Sequence, residues 1–148
     1  MQILAPITGR VVPLSEVPDP VFAEGMAGEG VAIVPASSGE VVAPVSGRLL
    51  RLFEGGHAFG IEGDEGVEML VHIGIDTIKL DGDGFEKLAV EGDRVRAGQP
   101  IVRFDLAVID AAGYDPVTPV IVLNHESYPV GDARPGDIRA GDPLFEAG

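Results

Sequence analysis

The chain repeats itself, and the repetition limits what it can fold into. Ala5-Pro6-Ile7-Thr8-Gly9-Arg10-Val11-Val12 returns 38 positions later as Ala43-Pro44-Val45-Ser46-Gly47-Arg48-Leu49-Leu50. A second passage, Val95-Arg96-Ala97-Gly98-Gln99-Pro100-Ile101, returns 43 positions later as Ile138-Arg139-Ala140-Gly141-Asp142-Pro143-Leu144, with Gly-Asp just upstream in both copies. Two different motifs that recur at similar offsets indicate two related halves. Each copy reads as a turn followed by a strand: Pro and Gly fix the turn, and the alternation after them buries one face. In Ala-Gly-Gln-Pro and Ala-Gly-Asp-Pro the Gly supplies positive φ and the Pro ends one pairing before the next strand begins.

With 148 residues the expectation is one domain, residues 1–148, with a core of its own. Hydrophobic residues make up 45% of the chain with no Trp and 5% aromatics, so Val, Ile, Leu and Ala must build the core, which favours strands. The 21 Gly and 12 Pro are spread along the whole length, which calls for many tight turns. Strands are expected at 2–4, 10–13, 31–34, 40–43, 47–53, 58–61, 67–73, 78–80, 101–104, 118–123 and 143–145. Helix is restricted to turns near Phe85–Leu88 and Ala107–Ala112. The expected fold is all-β: a compact antiparallel β sandwich or barrel with internal duplication and only short helical turns.

A formal charge of −14 and a pI near 4.3 repel nucleic-acid phosphate and anionic lipid, so a basic protein is the natural partner. The chain has no Cys, which excludes disulfides and Cys-based zinc sites. Met1–Pro6 lacks a basic n-region and a sustained apolar stretch, and no later apolar run approaches the roughly 20 residues of a membrane span. The expected location is cytoplasmic, without membrane insertion.

His57, in Glu54-Gly55-Gly56-His57-Ala58-Phe59-Gly60-Ile61, and His72, in Met69-Leu70-Val71-His72-Ile73-Gly74-Ile75-Asp76, carry the best clue to chemistry. Both lie in or beside alternating apolar runs, and strands distant in sequence can pair and bring two imidazoles together. Imidazole titrates near 6.5, so at neutral pH one ring nitrogen is a nucleophile while the other donates a hydrogen bond. Such a pair can hold a metal or carry a phosphoryl group. His125, in Asn124-His125-Glu126-Ser127, reads as surface. One alternative is a zinc hydrolase with His57, His72 and Asp76 as ligands, although no His-Glu-x-x-His or His-x-His spacing is present. Another is a biotinyl- or lipoyl-type carrier, since Ala43–Gly47 and Glu91–Gln99 look like turns of those domains. The only lysines, Lys79 and Lys87, lie outside a Met-Lys hairpin.

Val17-Pro18-Asp19-Pro20-Val21-Phe22-Ala23-Glu24, Gly28–Ile33, His57–Glu62 and Leu70–Thr77 resemble, in order, the signature blocks of the glucose-family IIA phosphocarrier of the bacterial sugar phosphotransferase system. The resemblance continues through Gly84-Phe85, Glu91–Val95, Phe104–Leu106 and Thr118–Ile121 and covers nearly the whole chain. It implies a duplicated hybrid-motif fold and a phosphohistidine relay. His72 matches the phosphorylated nucleophile and His57 the partner that donates to phosphoryl oxygens, with backbone N–H groups around Gly74 as further donors. The phosphocarrier HPr would be the phosphoryl donor and a cysteine of a IIB domain the acceptor. No cofactor is required beyond the phosphoryl group, and zinc would bind opportunistically between His57 and His72. Asp19 and Asp76 would meet basic residues of HPr, around an apolar docking patch of Phe22, Phe53, Leu70 and Ile73. One departure is Gly55, where some members place a hydroxyl residue suited to hydrogen-bonding the first histidine. A carrier of this kind touches no sugar, so sugar specificity would lie in its IIB–IIC partner.

Overall fold

A computed structural model describes residues 1–148. In chain order the elements are β1 (Gln2–Leu4), β2 (Gly9–Pro13), α1 (Pro20–Ala23), β3 (Glu29–Pro35), β4 (Gly39–Val42), β5 (Gly47–Leu52), β6 (Ala58–Gly63), β7 (Glu68–His72), β8 (Phe85–Lys87), β9 (Arg94–Val95), β10 (Pro100–Phe104), α2 (Leu106–Ala111), β11 (Thr118–Val122), β12 (Gly136–Ile138) and β13 (Pro143–Glu146). All pairings are antiparallel. The main sheet runs β12-β2-β3-β11-β7-β6-β5-β9, and the small sheets β1-β13 and β4-β10-β8 close the other side.

The repeated sequence becomes repeated structure. Arg10 opposes Val34 and Val11 opposes Ile33, as Arg48 opposes Glu62 and Leu49 opposes Ile61. Ala140 N–H donates to Thr8 Oγ1 at 3.0 Å, and Ala97 N–H donates to Ser46 Oγ at 2.8 Å. Gly141 N–H reaches Ala5 C=O as Gly98 N–H reaches Ala43 C=O, both at 2.8 Å. Two bonds are reciprocal, Leu4 N–H to Pro44 C=O and Val42 N–H to Pro6 C=O. Val71 and Val120 face each other where the halves meet. An approximate two-fold relation follows, and it explains why Gly9 and Gly47 must be Gly: a Cβ on either would lie 2.0 Å from a carbonyl oxygen of the neighbouring strand.

One face of the main sheet packs on the small sheets around a 26-residue core that includes Ile33, Leu49, Phe59, Ile61, Val71, Ile101, Val120 and Leu144. On the opposite face, residues 14–28, with a 3-10 turn at Leu14–Glu16 and α1, cover a second cluster of Val12, Val17, Phe22, Ala32, Ile75, Val117 and Ile121. No helix is long and apolar enough to cross a membrane.

The all-β duplicated architecture agrees with the sequence pattern, and the helix expected near Ala107–Ala112 is α2. Two elements are corrected. Residues 78–80 lie in a 3-10 turn (Thr77–Leu80) between Asp76 and Asp81, both in the left-handed region (φ 63° and 53°), so the run cannot extend. Phe85–Lys87 is a strand, not a helical turn, because Phe85, Glu86 and Lys87 pair with Phe104, Arg103 and Val102 of β10. Arg103 also bonds Glu40 across β4, at 3.0 Å, and Glu86 at 2.7 Å.

Candidate functional site

β6 and β7 bring the histidines together. Ala58 opposes His72 in the register, and Ile73 N–H donates to His57 C=O at 2.7 Å. The two ring centroids lie 5.4 Å apart in an edge-on arrangement. Phe22, from α1, lies 5.5 Å from the His72 ring, and Phe53 lies 5.3 Å from the His57 ring. α1 starts where Asp19 Oδ1 accepts the Val21 N–H at 2.9 Å and Pro20 occupies the first turn, so the capping residue also fixes where Phe22 meets His72.

The surroundings decide which ring nitrogen does what. His72 Nδ1 lies 2.7 Å from Gly74 C=O. A carbonyl only accepts, so Nδ1 carries the proton and Nε2 keeps the free lone pair. Burial lowers the His72 pKa, while the Gly74 bond and the nearby Asp19 and Asp76 carboxylates act against that shift. His57 is 4% exposed, and burial, with the adjacent His72 second, pushes its pKa down to about 4. It is therefore neutral at pH 7 with one ring proton. His57 Nδ1 is the one buried side-chain polar atom without a hydrogen-bond partner. An orphaned buried donor is rarer and costlier than an under-satisfied acceptor, which assigns the proton to Nε2. The site thus sets a ring nitrogen with a free lone pair on His72 beside a ring N–H on His57.

Gly55 lies next to that orphaned nitrogen: a Cβ at Gly55 would sit 3.3 Å from His57 Nδ1. Beyond it is a cavity of about 520 Å³ lined by Arg51, Phe53, Gly55, His57, Ile78 and Asp81. Of the backbone groups around Gly74, its carbonyl meets His72 Nδ1, and the N–H groups of Ile73 and Ile75 are engaged by His57 C=O and Asp115 C=O, which leaves the N–H of Gly74 itself without a backbone partner.

The docking residues separate. Ile73 is wholly buried in the main core and cannot touch a partner, because it continues the inward-facing set of Met69 and Val71. Phe22 is 7% exposed and Phe53 half-buried, each with its ring against a histidine. Leu70 is half-buried on the same face as His72 and packs against the second cluster. Asp19 is half-buried and Asp76 exposed. Val21, beside Phe22 on α1, Met26, just after α1, and Ile78, lining the cavity beside His57, none of them singled out from the sequence, are exposed apolar side chains. The N-capped Asp19-Pro20 start of α1 was the available signal for the first two. His125 is partly exposed and lies 3.4 Å from Glu29, away from the pair.

The rival sites do not form. No third His, Asp or Glu joins the imidazoles in a metal-binding group, so the three-ligand set with Asp76 is absent. His72 can offer Nε2 to an ion, whereas the lone pair of His57 lies on its buried Nδ1. Lys87 lies within β8 and Lys79 in the 3-10 turn, so no lysine occupies a carrier-type hairpin tip.

The duplicated β fold thus sets two imidazoles face to face, one of them with a free ring nitrogen. The model of the family described as phosphoenolpyruvate-dependent sugar phosphotransferase system, EIIA 1, matches residues 1–128. The chain belongs to this family. It is 48% identical over 122 residues to a PTS system glucose-specific EIIA component of Staphylococcus aureus (strain Mu50 / ATCC 700699), covering 82% of this chain and 73% of that protein. It is 52% identical over 126 residues to a PTS system beta-glucoside-specific EIIBCA component of Bacillus subtilis (strain 168), covering 85% of this chain. It is 45% identical over 143 residues to a PTS system glucoside-specific EIICBA component of Staphylococcus carnosus (strain TM300), covering 97% of this chain. The matches span 20% of the length of each of these last two relatives, in which the IIA part is fused to IIB and IIC parts. Among solved structures, glucose permease IIA from Mycoplasma capricolum superimposes with a TM-score of 0.91 at 40% identity, over 98% of this chain and 94% of that one.

Proposed function

We propose that His72 accepts a phosphoryl group from phospho-HPr and passes it to a cysteine of a IIB domain, with His57 as the stabilising donor. The observation that carries this reading is the His72 Nδ1 to Gly74 hydrogen bond, which leaves Nε2 as the ring's lone pair. Nε2 attacks phosphorus in line with the N–P bond of the donor's phosphohistidine. That bond breaks, its electron pair returns to the donor imidazole, and a new N–P bond forms on His72. Onward transfer repeats the displacement with a cysteine thiolate as nucleophile and returns His72 to its neutral state. Positioning and charge stabilisation dominate such transfers, and His57 Nε2–H would donate to the phosphoryl oxygens.

Asp19 and Asp76 provide the negative rim for a basic partner, and Val21, Met26, Ile78 and the exposed edges of Phe53 and Leu70 provide the apolar contact inside it. The relatives are named for glucose, glucosides and beta-glucosides, so the IIB–IIC partner of this chain would belong to that sugar class. The setting of such a relay is the cytoplasm. Zinc binding at the pair would use at most two protein ligands, would need the His57 proton moved from Nε2 to Nδ1, and would compete with phosphorylation.

The test is incubation with phosphoenolpyruvate, enzyme I and HPr, followed by mass spectrometry at neutral or alkaline pH. One acid-labile phosphoryl group should appear on the wild type and none on His72→Gln. An acid-stable adduct, or uptake undiminished in His72→Gln, would sink the assignment.

A further inference from the structure

Three polar side chains are buried, His57, Thr77 and Thr118, and Thr77, 1% exposed, closes the loop that follows the second histidine. Its hydroxyl donates to Ile73 C=O at 2.6 Å, four residues back. Between the two ends lies Gly74, whose carbonyl receives the His72 Nδ1–H. Gly74 has φ 77°, and a residue without a Cβ takes many other conformations at little cost, so Gly74 cannot aim that carbonyl by itself. Its neighbours do.

Gly74 joins two peptide planes, and each is held from outside. The Ile73–Gly74 plane is gripped through its carbonyl by the Thr77 hydroxyl, and the Gly74–Ile75 plane through its N–H by Asp115 C=O at 2.8 Å. With both rigid planes fixed, the two soft dihedrals of Gly74 are fixed as well. The same two residues crowd it: a Cβ on Gly74 would lie 2.6 Å from the Thr77 methyl carbon and 3.1 Å from the Asp115 carbonyl oxygen.

We propose that Thr77 is a positioning residue for the transfer: its grip on the Ile73–Gly74 peptide keeps the Gly74 carbonyl on His72 Nδ1 and thereby keeps the lone pair on Nε2. The proposal rests on the phosphocarrier reading and deepens it. A histidine ring in water prefers its proton on Nε2, the tautomer that would block the attacking atom, and a partner held on the other nitrogen reverses that preference. The grip acts again after transfer. Once Nε2 has formed its bond to phosphorus, the ring keeps the Nδ1 proton and takes on positive charge, so the bond to Gly74 C=O becomes charge-assisted. The Gly74–Ile75 peptide passes this polarisation to Asp115 C=O, one hydrogen bond further along.

The experiment reads the ring directly, by nitrogen-15 spectra of the histidine side chains in the unphosphorylated protein, beside the kinetics of phosphorylation by phospho-HPr. In the wild type His72 should show a protonated Nδ1 and an unprotonated Nε2. Thr77→Val keeps the shape and removes the hydroxyl; it should move proton population toward Nε2 and lower kcat about tenfold, the worth of one hydrogen bond, with KM unchanged. Thr77→Ser keeps the hydroxyl and should hold both readouts at the wild-type values. Thr77→Ala, which leaves room for water at the Ile73 carbonyl, is the second arm should Thr77→Val not fold, and it should shift the ring and the rate in the same direction. Thr8→Ala, which gives up a threonine hydrogen bond in the turn before β2, should change neither. A His72 ring or a kcat that stays at the wild-type value in the folded Val and Ala variants would leave Thr77 a purely structural role and overturn the proposal, as would an unprotonated Nδ1 in the wild type. Failure of the wild type to take up a phosphoryl group would instead defeat the phosphocarrier reading, on which the ring spectra do not depend.

Discussion

The half built on β2 and β3 and the half built on β5 and β6 share register, turn hydroxyls and crossing backbone bonds, yet only the second carries the histidine pair. Counting along the paired strands, His57 and His72 stand where the first half has Glu29 and Ile121. Ile121 is wholly buried under residues 14–28, whereas His72 stays half-exposed. His72 stays partly open because the second half lacks a cover that the first retains. Residues 14–28 then serve twice, since the helix that seals the first half also brings Phe22 to His72.

The largest expected effect breaks the equivalence at the histidines. His57→Ala removes a donor from the transferring group while keeping the His72 nucleophile, which should slow onward transfer by about 10²–10³, the cost of losing one such donor elsewhere. Glu29→Gln, at the matching position, should leave transfer unchanged. Rapid-quench measurement of both half-reactions decides it, and wild-type transfer in His57→Ala would remove His57 from the mechanism.

Next comes the cover itself. Val12→Asp buries an unpaired charge under residues 14–28 and should cost about 4 kcal/mol, whereas Leu50→Asp, half-exposed, should change stability by about 0.5 kcal/mol or less. Urea midpoints of the two variants measure the contrast. Equal losses would mean that the second half is covered as tightly as the first.

Acid should weaken the protein through the second half. Below pH 6.5 the unfolded chain binds a proton that folded His57 refuses until about pH 4, so stability falls as pH drops through that window. The loss approaches about 3 kcal/mol as an upper value at pH 4, from the lowered pKa alone. His57→Gln lacks this linkage and should show a flatter decline between pH 6.5 and 4. Parallel wild-type and variant curves would show that His57 is not the group responsible.

Much of this comparison was legible in the chain. The Ala-Pro-x-x-Gly-Arg and Arg-Ala-Gly-x-Pro repeats announced the duplication because their turn chemistry is local: Thr8 and Ser46, Gly98 and Gly141 do the same work in both copies. The histidines were legible because β6 and β7 are adjacent in sequence and pair through a short connection. What stayed hidden depends on long-range geometry. Alternation cannot show that Phe85–Lys87 finds an edge on β10, nor that left-handed Asp76 and Asp81 fold 77–80 into a turn. Ile73 looked like surface beside His72, but neighbours on a strand face opposite ways, and the side that carries Ile73 is the core. Arg51 and Leu50 share a face only because of the β5 bulge.

The smallest effect tests how far the likeness of the halves extends. Thr8 and Ser46 each hold one backbone N–H, of Ala140 and Ala97, in otherwise identical turns. Thr8→Ala and Ser46→Ala should each cost about 1 kcal/mol, the net value of one such bond, with the freed N–H groups near enough to the surface to keep the penalty modest. The exchanges Thr8→Ser and Ser46→Thr keep the hydroxyl and should stay within about 0.5 kcal/mol of wild type. Because the two turns share no partner, the double alanine variant should lose the sum of the single changes. Thermal or urea unfolding of the set reads the result. A loss confined to one turn would show that the duplication kept the hydrogen bond in both halves but its energetic weight in only one.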